Sequence, residues 1–442
     1  MAWGEPVIGL CASHTTPSRS RRTTPGVAER GDADAMWSSW HVSCHPVQVP
    51  RFEPFPALRY SPTVDLDLAA APPYDVLSAD DVAALAALHQ RNIVLVDVPG
   101  PDDDATRYER SAAALRAWED EGTLVRDPSP TFTLYRMRFR TEAGTERETV
   151  GVIGALEVVD EGAGGVLPHE RTTPKAKTDR LDLTRATEAN LSPVWGLSLT
   201  AGLTDLLREP ADVVGTCTDA EGVVHTVERV TDPGRIAAIE AAVSSNPVLI
   251  ADGHHRYAIS RTYRDERRAT DGSGPWDLTL TYVGELVDEQ LSIDAIHRLY
   301  SGMPAAELLD VLGRSFDLDP AGRVDAAFAR RVVDEAALCF VHADGTGTWL
   351  RPRPEAFEGV RRLDGALLEH ALEGVDVDVT YQHGVDHVVA AVAGASVSAG
   401  VLIRPTSITE IRRTADEGLL MPPKSTFFTP KLRTGLVVRP LD

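Results

Sequence analysis

VLIADGHHRYAIS (Val248–Ser260) is the stretch that decides how this chain is read. Val248–Ala251 is a short apolar run of the kind that forms a buried strand. It delivers Asp252 and Gly253 to the mouth of a helix that starts near His254. Gly253 permits a tight turn and a close backbone approach. The first amides of a helix lack intrahelical partners and sit at the positive end of its dipole, so such a turn is an anion site. His254, His255 and Arg256 add donors around it, and Asp252 is placed to hold Mg²⁺ or to orient a hydroxyl. The plain alternative is an aspartate that only caps the helix, with both imidazoles in solvent. Adjacent histidines point in different directions and make a poor two-histidine metal site.

Outward from this turn the pattern alternates between strands and helices. Ser78 caps a helix over ADDVAALAALHQ, with acids in its first turn. NIVLVDV (Asn92–Val98) reads as a short buried strand. Thr106–Gly122 has helical period and a glycine stop. TFTLYRMRFR (Thr131–Arg140) alternates as a strand does, and ETVGVIGALEVV follows as its neighbour. DRLDLTRATEANL and DPGRIAAIEAAVSS are helical. After about Tyr300 the pattern restarts with a helix, strands and a hairpin-like HADGTG. This is α/β order, mixed with α+β, and not an all-helical chain. Residues 51–300 form one expected domain and 301–442 a second, smaller α+β domain. Residues 1–50 show almost no periodicity and are expected to be a disordered extension or a mis-called start.

The chain holds four lysines among its 44 basic residues. Lys175 and Lys177 lie in PHERTTPKAKTDR (Pro168–Arg180), and Lys424 and Lys431 in MPPKSTFFTPK (Met421–Lys431). Lysine is a compact ammonium and does not substitute for arginine at a phosphate. Its confinement to two Pro- and Thr-rich segments suggests that the ammonium itself matters there, and the plain alternative is chance in an arginine-biased chain. The first segment adds Glu170, a candidate general base, together with Arg171. The second adds Ser425, Thr426 and two phenylalanines that can pack on a nucleobase or seal a cleft.

Net charge is −22. Such a chain repels nucleic acid on average, and no local basic patch offsets this. No stretch approaches the roughly 18 apolar residues of a membrane span. Four cysteines show no metal spacing, and no phosphate-loop or dinucleotide fingerprint occurs. HGVDH (His383–His387) has i,i+4 spacing, but Gly384 and the β-rich residues before it argue against a metal helix.

FPALRY, APPYDV, PHERTTPKAKTDRLDLTRATEANLSPV, IADGHHRYAIS and MPPKSTFFTPKLRTGLVV, in that order, resemble the DUF1015 family from about residue 51 to the C-terminus. The Asp252–Arg256 turn is similar to the phosphate-binding turn of the ParB/sulfiredoxin-like superfamily, which includes free-serine kinases. That resemblance implies a ParB/sulfiredoxin-like nucleotide-binding core and a phosphotransferase using ATP or ADP with Mg²⁺. The substrate it implies is a small hydroxy amino acid or its phosphate, serine or phosphoserine first, with the transfer running in either direction. It implies phosphate contacts from Gly253, His254, His255, Arg256, Arg171, Lys177, Lys424, Ser425 and Lys431. Asp252, Glu170, His254 and Lys175 are the implied catalytic residues, Asp252 also holding the metal. A cytoplasmic protein without nucleic-acid or membrane partners is expected. A non-catalytic nucleotide-binding regulator and a ParB-like DNA-associated protein are the alternatives. Sulfinic-acid reduction is not expected, because histidine stands where sulfiredoxin has its cysteine.

Overall fold

The computed structural model describes residues 49–442 other than 101–103, 105, 142–144, 169, 171–176 and 326, and only the backbone of Lys177 and Thr178. The expectation for the N-terminal extension therefore lies outside the described residues, apart from Val49 and Pro50. Val47–Asp442 is one compact unit, and its architecture is mixed α/β.

Among the described residues, nine strands form the larger sheet. They are β1 (Phe52–Glu53), β2 (Phe132–Arg140), β3 (Glu146–Glu157), β4 (Val166–Pro168), β5 (Val194–Ser198), β6 (Asp212–Thr218), β7 (Val224–Val230), β8 (Val248–Asp252) and β9 (Leu278–Glu285). Their order is β4-β8-β5-β9-β3-β2-β7-β6, with β1 against β3. β8 runs parallel to β4 and antiparallel to β5, while β9 runs parallel to β5. Both faces are buried, as alternation along single strands shows. Phe132 and Leu134 of β2 enter one core and Tyr135, Met137 and Phe139 the other. Val248 and Ile250 of β8 likewise face one core, and Leu249 and Ala251 the opposite one.

Among the described residues a second sheet has six strands: β10 (Ile296–Ser301), β11 (Phe316–Arg323), β12 (Leu338–Val341), β13 (Thr346–Pro352), β14 (Asp378–His383) and β15 (Ala399–Leu402). Their order is β11-β13-β12-β15-β10-β14. The chain then returns to the first sheet. Met421, Phe428, Leu432, Leu436 and Val437 are buried in the same core as Tyr135 and Trp195, and Phe427–Thr429 pairs with Ser292–Asp294.

Among the described residues, α1 (Ala79–Leu88), α3 (Lys177–Thr187) and α4 (His254–Asp271) bear on the site, and α2 (Arg107–Asp120) packs against α3. Ser78 starts α1 with a reciprocal capping box to Asp81. Asn92–Val98 is not the expected strand, because Val94–Asp97 is a short helix. The Asn92 side chain accepts from the Val94 amide at 2.9 Å and donates to the Leu68 carbonyl at 2.7 Å, which seats a helical turn there.

Candidate active site

The site is built around the end of β8. The pairing of β8 with β5 slips in register between Ile250 and Asp252. Such a bulge re-aims the side chain beyond it. Gly253 follows with φ +82°, and it occupies the N-cap position of α4. Asp252 therefore does not cap the helix. A Cβ at Gly253 would lie 3.0 Å from the Arg256 guanidinium carbon, on a backbone that L side chains rarely adopt.

Arg256 folds back beneath the turn. Its guanidinium donates to the Pro193 carbonyl, lies 3.4 Å from Asp252 Oδ2 and forms a 3.6 Å ion pair with Asp75. It shares a cavity of about 50 Å³ with Tyr74, Asp97 and Arg180. Arg180 pairs with Asp97 at 3.2 Å and lies 3.9 Å from the Tyr74 ring. Two motifs thus support the turn from below: Tyr74 and Asp75 come from APPYDV, and Arg180 ends PHERTTPKAKTDR.

The C-terminal segment covers the turn from above. Lys431 Nζ donates to Asp252 Oδ2 at 3.2 Å and sits 4.2 Å from the Phe427 ring. On Phe427 stacks His383, with centroids 4.4 Å apart and planes at 25°. Asp294 fixes this wall, accepting from His383 at 3.2 Å and from Thr429 at 3.1 Å. Burial pushes Asp252 up, but Lys431 and Arg256, with His254 beyond them, outweigh it. They hold its carboxyl well below the usual carboxylate range.

Glu170 approaches from the other motif. It bridges Met421 in parallel fashion and accepts the Ser425 amide at 3.3 Å. Burial pushes its carboxyl up to about 7, against the pull of Lys424, the Ser425 amide and Lys431 and with the repulsion of Asp252. Two carboxyl groups in one electrostatic neighbourhood thus have opposite shifts.

Lys424 has φ +56°. Buried Arg298 of β10 holds it there, donating to the Ile296 and Lys424 carbonyls at 2.5 and 3.1 Å. Ser425 is buried, and its hydroxyl donates to the Pro422 carbonyl at 2.7 Å, which shapes the loop. Thr406 donates to the Ser425 carbonyl at 2.8 Å.

The structure therefore brings together Glu170, Asp252, Gly253, Arg256, Lys424, Ser425 and Lys431. His254 and His255 occupy the first turn of α4, both partly buried. Arg171 and Lys175 lie outside the described residues, and Lys177 opens α3. Sequence reasoning missed Asp75, Asp294, Arg298 and the role of His383 as a wall. APPYDV was a visible signal for Asp75, whereas Arg298 had none. Among the described residues no group of three or more histidine, cysteine or acidic residues is arranged to hold a metal ion. No helix among them is long and apolar enough to cross a membrane.

Solved structures with a similar fold are remote. A conserved hypothetical protein from Pyrococcus furiosus is 12% identical, with a TM-score of 0.33 over 61% of this chain and 92% of its own. A free serine kinase in complex with AMP is 13% identical, with a TM-score of 0.33 over 61% of this chain and 88% of its own. SbnI from Staphylococcus aureus, with a C-terminal truncation, is 14% identical, with a TM-score of 0.36 over 65% of this chain and 87% of its own. No curated protein sequence matches the chain. The family described as "Protein of unknown function (DUF1015)" matches residues 52–366, which span most of both sheets and all of the turn. The chain belongs to the DUF1015 family.

Proposed function

We propose that the chain is a nucleotide-dependent phosphotransferase acting on a small hydroxylated metabolite, with free serine or phosphoserine the leading candidate. The observation that carries this reading is Glu170. Its carboxyl is tuned to about 7 and stands among Lys424, Lys431 and the Asp252 turn. A general base works best when its pKa lies near the operating pH.

In this reading the first turn of α4 and Gly253 cradle the phosphates of ATP or ADP, and the helix dipole favours their charge. The acceptor hydroxyl gives its proton to Glu170 as its oxygen attacks the terminal phosphorus. A new O–P bond forms, and the bond to the nucleotide oxygen breaks. ATP leaves as ADP, or ADP as AMP. Lys424 and Lys431 neutralise charge on the phosphoryl oxygens, which is most of what such a transfer requires. Arg256 positions Asp252 and the turn from below. Lys431 and Arg256 both sit on Asp252 Oδ2, and Asp252 is the carboxylate that would hold Mg²⁺ together with the substrate phosphates. Magnesium is commonly held by one or two carboxylates plus substrate phosphates, and it would neutralise phosphate charge there. Residues 51–300 are the ParB/sulfiredoxin-like core in this account, and 301–442 contribute the Lys424–Lys431 segment. The protein would act in the cytosol on soluble metabolites.

A nucleotide-binding regulator would need the same turn but no base tuned to neutral pH, so Glu170 favours turnover. A DNA-associated role is disfavoured by the net charge of −22. The test is mass-spectrometric product analysis after incubation with ATP or ADP, Mg²⁺ and a panel of hydroxy amino acids. Transfer to one of them supports the proposal. No phosphorylated product with any donor–acceptor pair refutes it.

A further inference from the structure

A cleft of about 910 Å³ opens beside the Lys431–Asp252 pair. That is the size of a site for a substantial small molecule, about 300–1,000 Å³, and far more than a serine needs. Its lining is mixed. At one end stand Lys431 and Arg433, with buried Leu432 between them. Arg433 is fixed in place: its amide donates to the Tyr135 hydroxyl at 2.9 Å and its guanidinium to the Ala70 carbonyl at 3.0 Å. The Phe427–His383 stack lines the side next to these cations. Along the rest of the cleft Val76, Leu77, Leu85, Leu88, Phe139 and Val223 form an apolar set, interrupted by Asp81, Arg140, Asp219 and Glu221. Helix α1 supplies much of this wall. Its sequence is ADDVAALAAL, yet none of its residues is buried, and Leu88 is 54% exposed.

Four of the five carboxylates that line the cleft are held by protein groups, Asp67 by the Thr218 amide at 2.7 Å, while Glu221 is exposed at its rim. Asp219 holds His225 at 3.0 Å and the Val223 amide at 2.8 Å. Asp294 holds His383 and Thr429. Asp81 is engaged in the α1 capping box. Lys431 is itself paired with Asp252, yet it and Arg433 bring two cations together beside the phosphate turn, on a chain whose net charge otherwise repels anions. A molecule that matches the cleft has a multiply charged anionic head and a large, partly apolar body.

We propose that this cleft seats the nucleoside of a bound nucleotide. Its phosphates meet Lys431 and Arg433 beside the turn, and its ribose and base extend along the apolar trough towards α1. This rests on the phosphotransferase reading for the identity of the ligand and adds where and how that ligand is recognised.

The experiment is calorimetric titration of the full chain with ADP, and separately with inorganic phosphate. Leu88→Glu and Val76→Glu each place a carboxylate in the trough at a side chain that is already exposed, 54% and 44% respectively. Val213→Glu makes the same change on edge strand β6, outside the cleft, where Val213 is 63% exposed. Both trough variants are expected to weaken ADP at least fivefold and to leave phosphate affinity and melting temperature unchanged. Val213→Glu is expected to stay within twofold of the wild type. ADP binding that neither trough variant alters would overturn the seat while leaving the phosphotransferase reading in place. A wild-type chain that binds no ADP would overturn both.

Discussion

Replacing Glu170 with glutamine separates its electrostatic cost from its shape. Glutamine keeps an oxygen for the Ser425 amide, 3.3 Å away in the wild type, but never ionises. The wild-type carboxyl titrates at about 7 in the folded chain against its usual 4.5. Its folded value is raised, so its contribution to stability is fully present below pH 4.5 and is lost as pH rises through 7. At 1.36 kcal/mol per pH unit the loss is about 3 kcal/mol, and partial exposure reduces it to roughly 1–3 kcal/mol. The Glu170→Gln chain lacks this loss. Its stability relative to wild type should therefore rise by about 1–3 kcal/mol between pH 5 and pH 8. Urea unfolding of both chains across that range measures the difference. Parallel stability curves would show that Glu170 ionises normally, and the argument for a base poised near neutrality would fail. The same variant should bind nucleotide and turn over nothing.

Three further outcomes follow from named contacts. Lys431→Arg retains the charge but replaces a point ammonium with a planar fork between Phe427 and Asp252. Turnover should fall roughly tenfold, equivalent to about 1.4 kcal/mol of transition-state stabilisation, at an unchanged melting temperature; full activity would make the lysine incidental. Gly253→Ala forces a side chain onto φ +82° and against Arg256, and urea unfolding should show a loss of about 1–2 kcal/mol; an unchanged midpoint would mean that the turn relaxes freely. Arg298→Ala leaves the carbonyl of buried Ile296 and that of exposed Lys424 without their donor, for a loss of about 1–3 kcal/mol by the same method. It should also raise KM, because the loop carrying Lys424 loosens, and wild-type kinetics would remove Arg298 from the site's support.

The strand–turn–helix at Val248–Asp271 was legible because three local signals agree there: an apolar strand, a glycine at positive φ and an amphipathic helix. Capped helices were legible for similar reasons, Ser78 with Asp81 being one case. Asn92–Val98 was not. Seven residues are too few to show a helical period, and the outcome was decided by an asparagine side chain reaching Leu68. The meeting of Glu170, Asp252, Lys424 and Lys431 had a compositional trace in the rarity of lysine. The direction of Arg256 had none, because Asp75 and Pro193 draw it beneath the turn and both are distant in sequence. Arg298 was equally hidden. It acts on backbone carbonyls of a loop more than a hundred residues away, and no side-chain pattern records that.

Phosphorus NMR of the protein mixed with ATP or ADP, Mg²⁺ and L-serine tests the central claim most directly. The account predicts a growing phosphomonoester resonance matched by loss of the terminal nucleotide phosphate, present with the wild type and absent with Glu170→Gln. Unchanged nucleotide resonances with serine and with every other hydroxy amino acid, under conditions where the chain is folded, would contradict it.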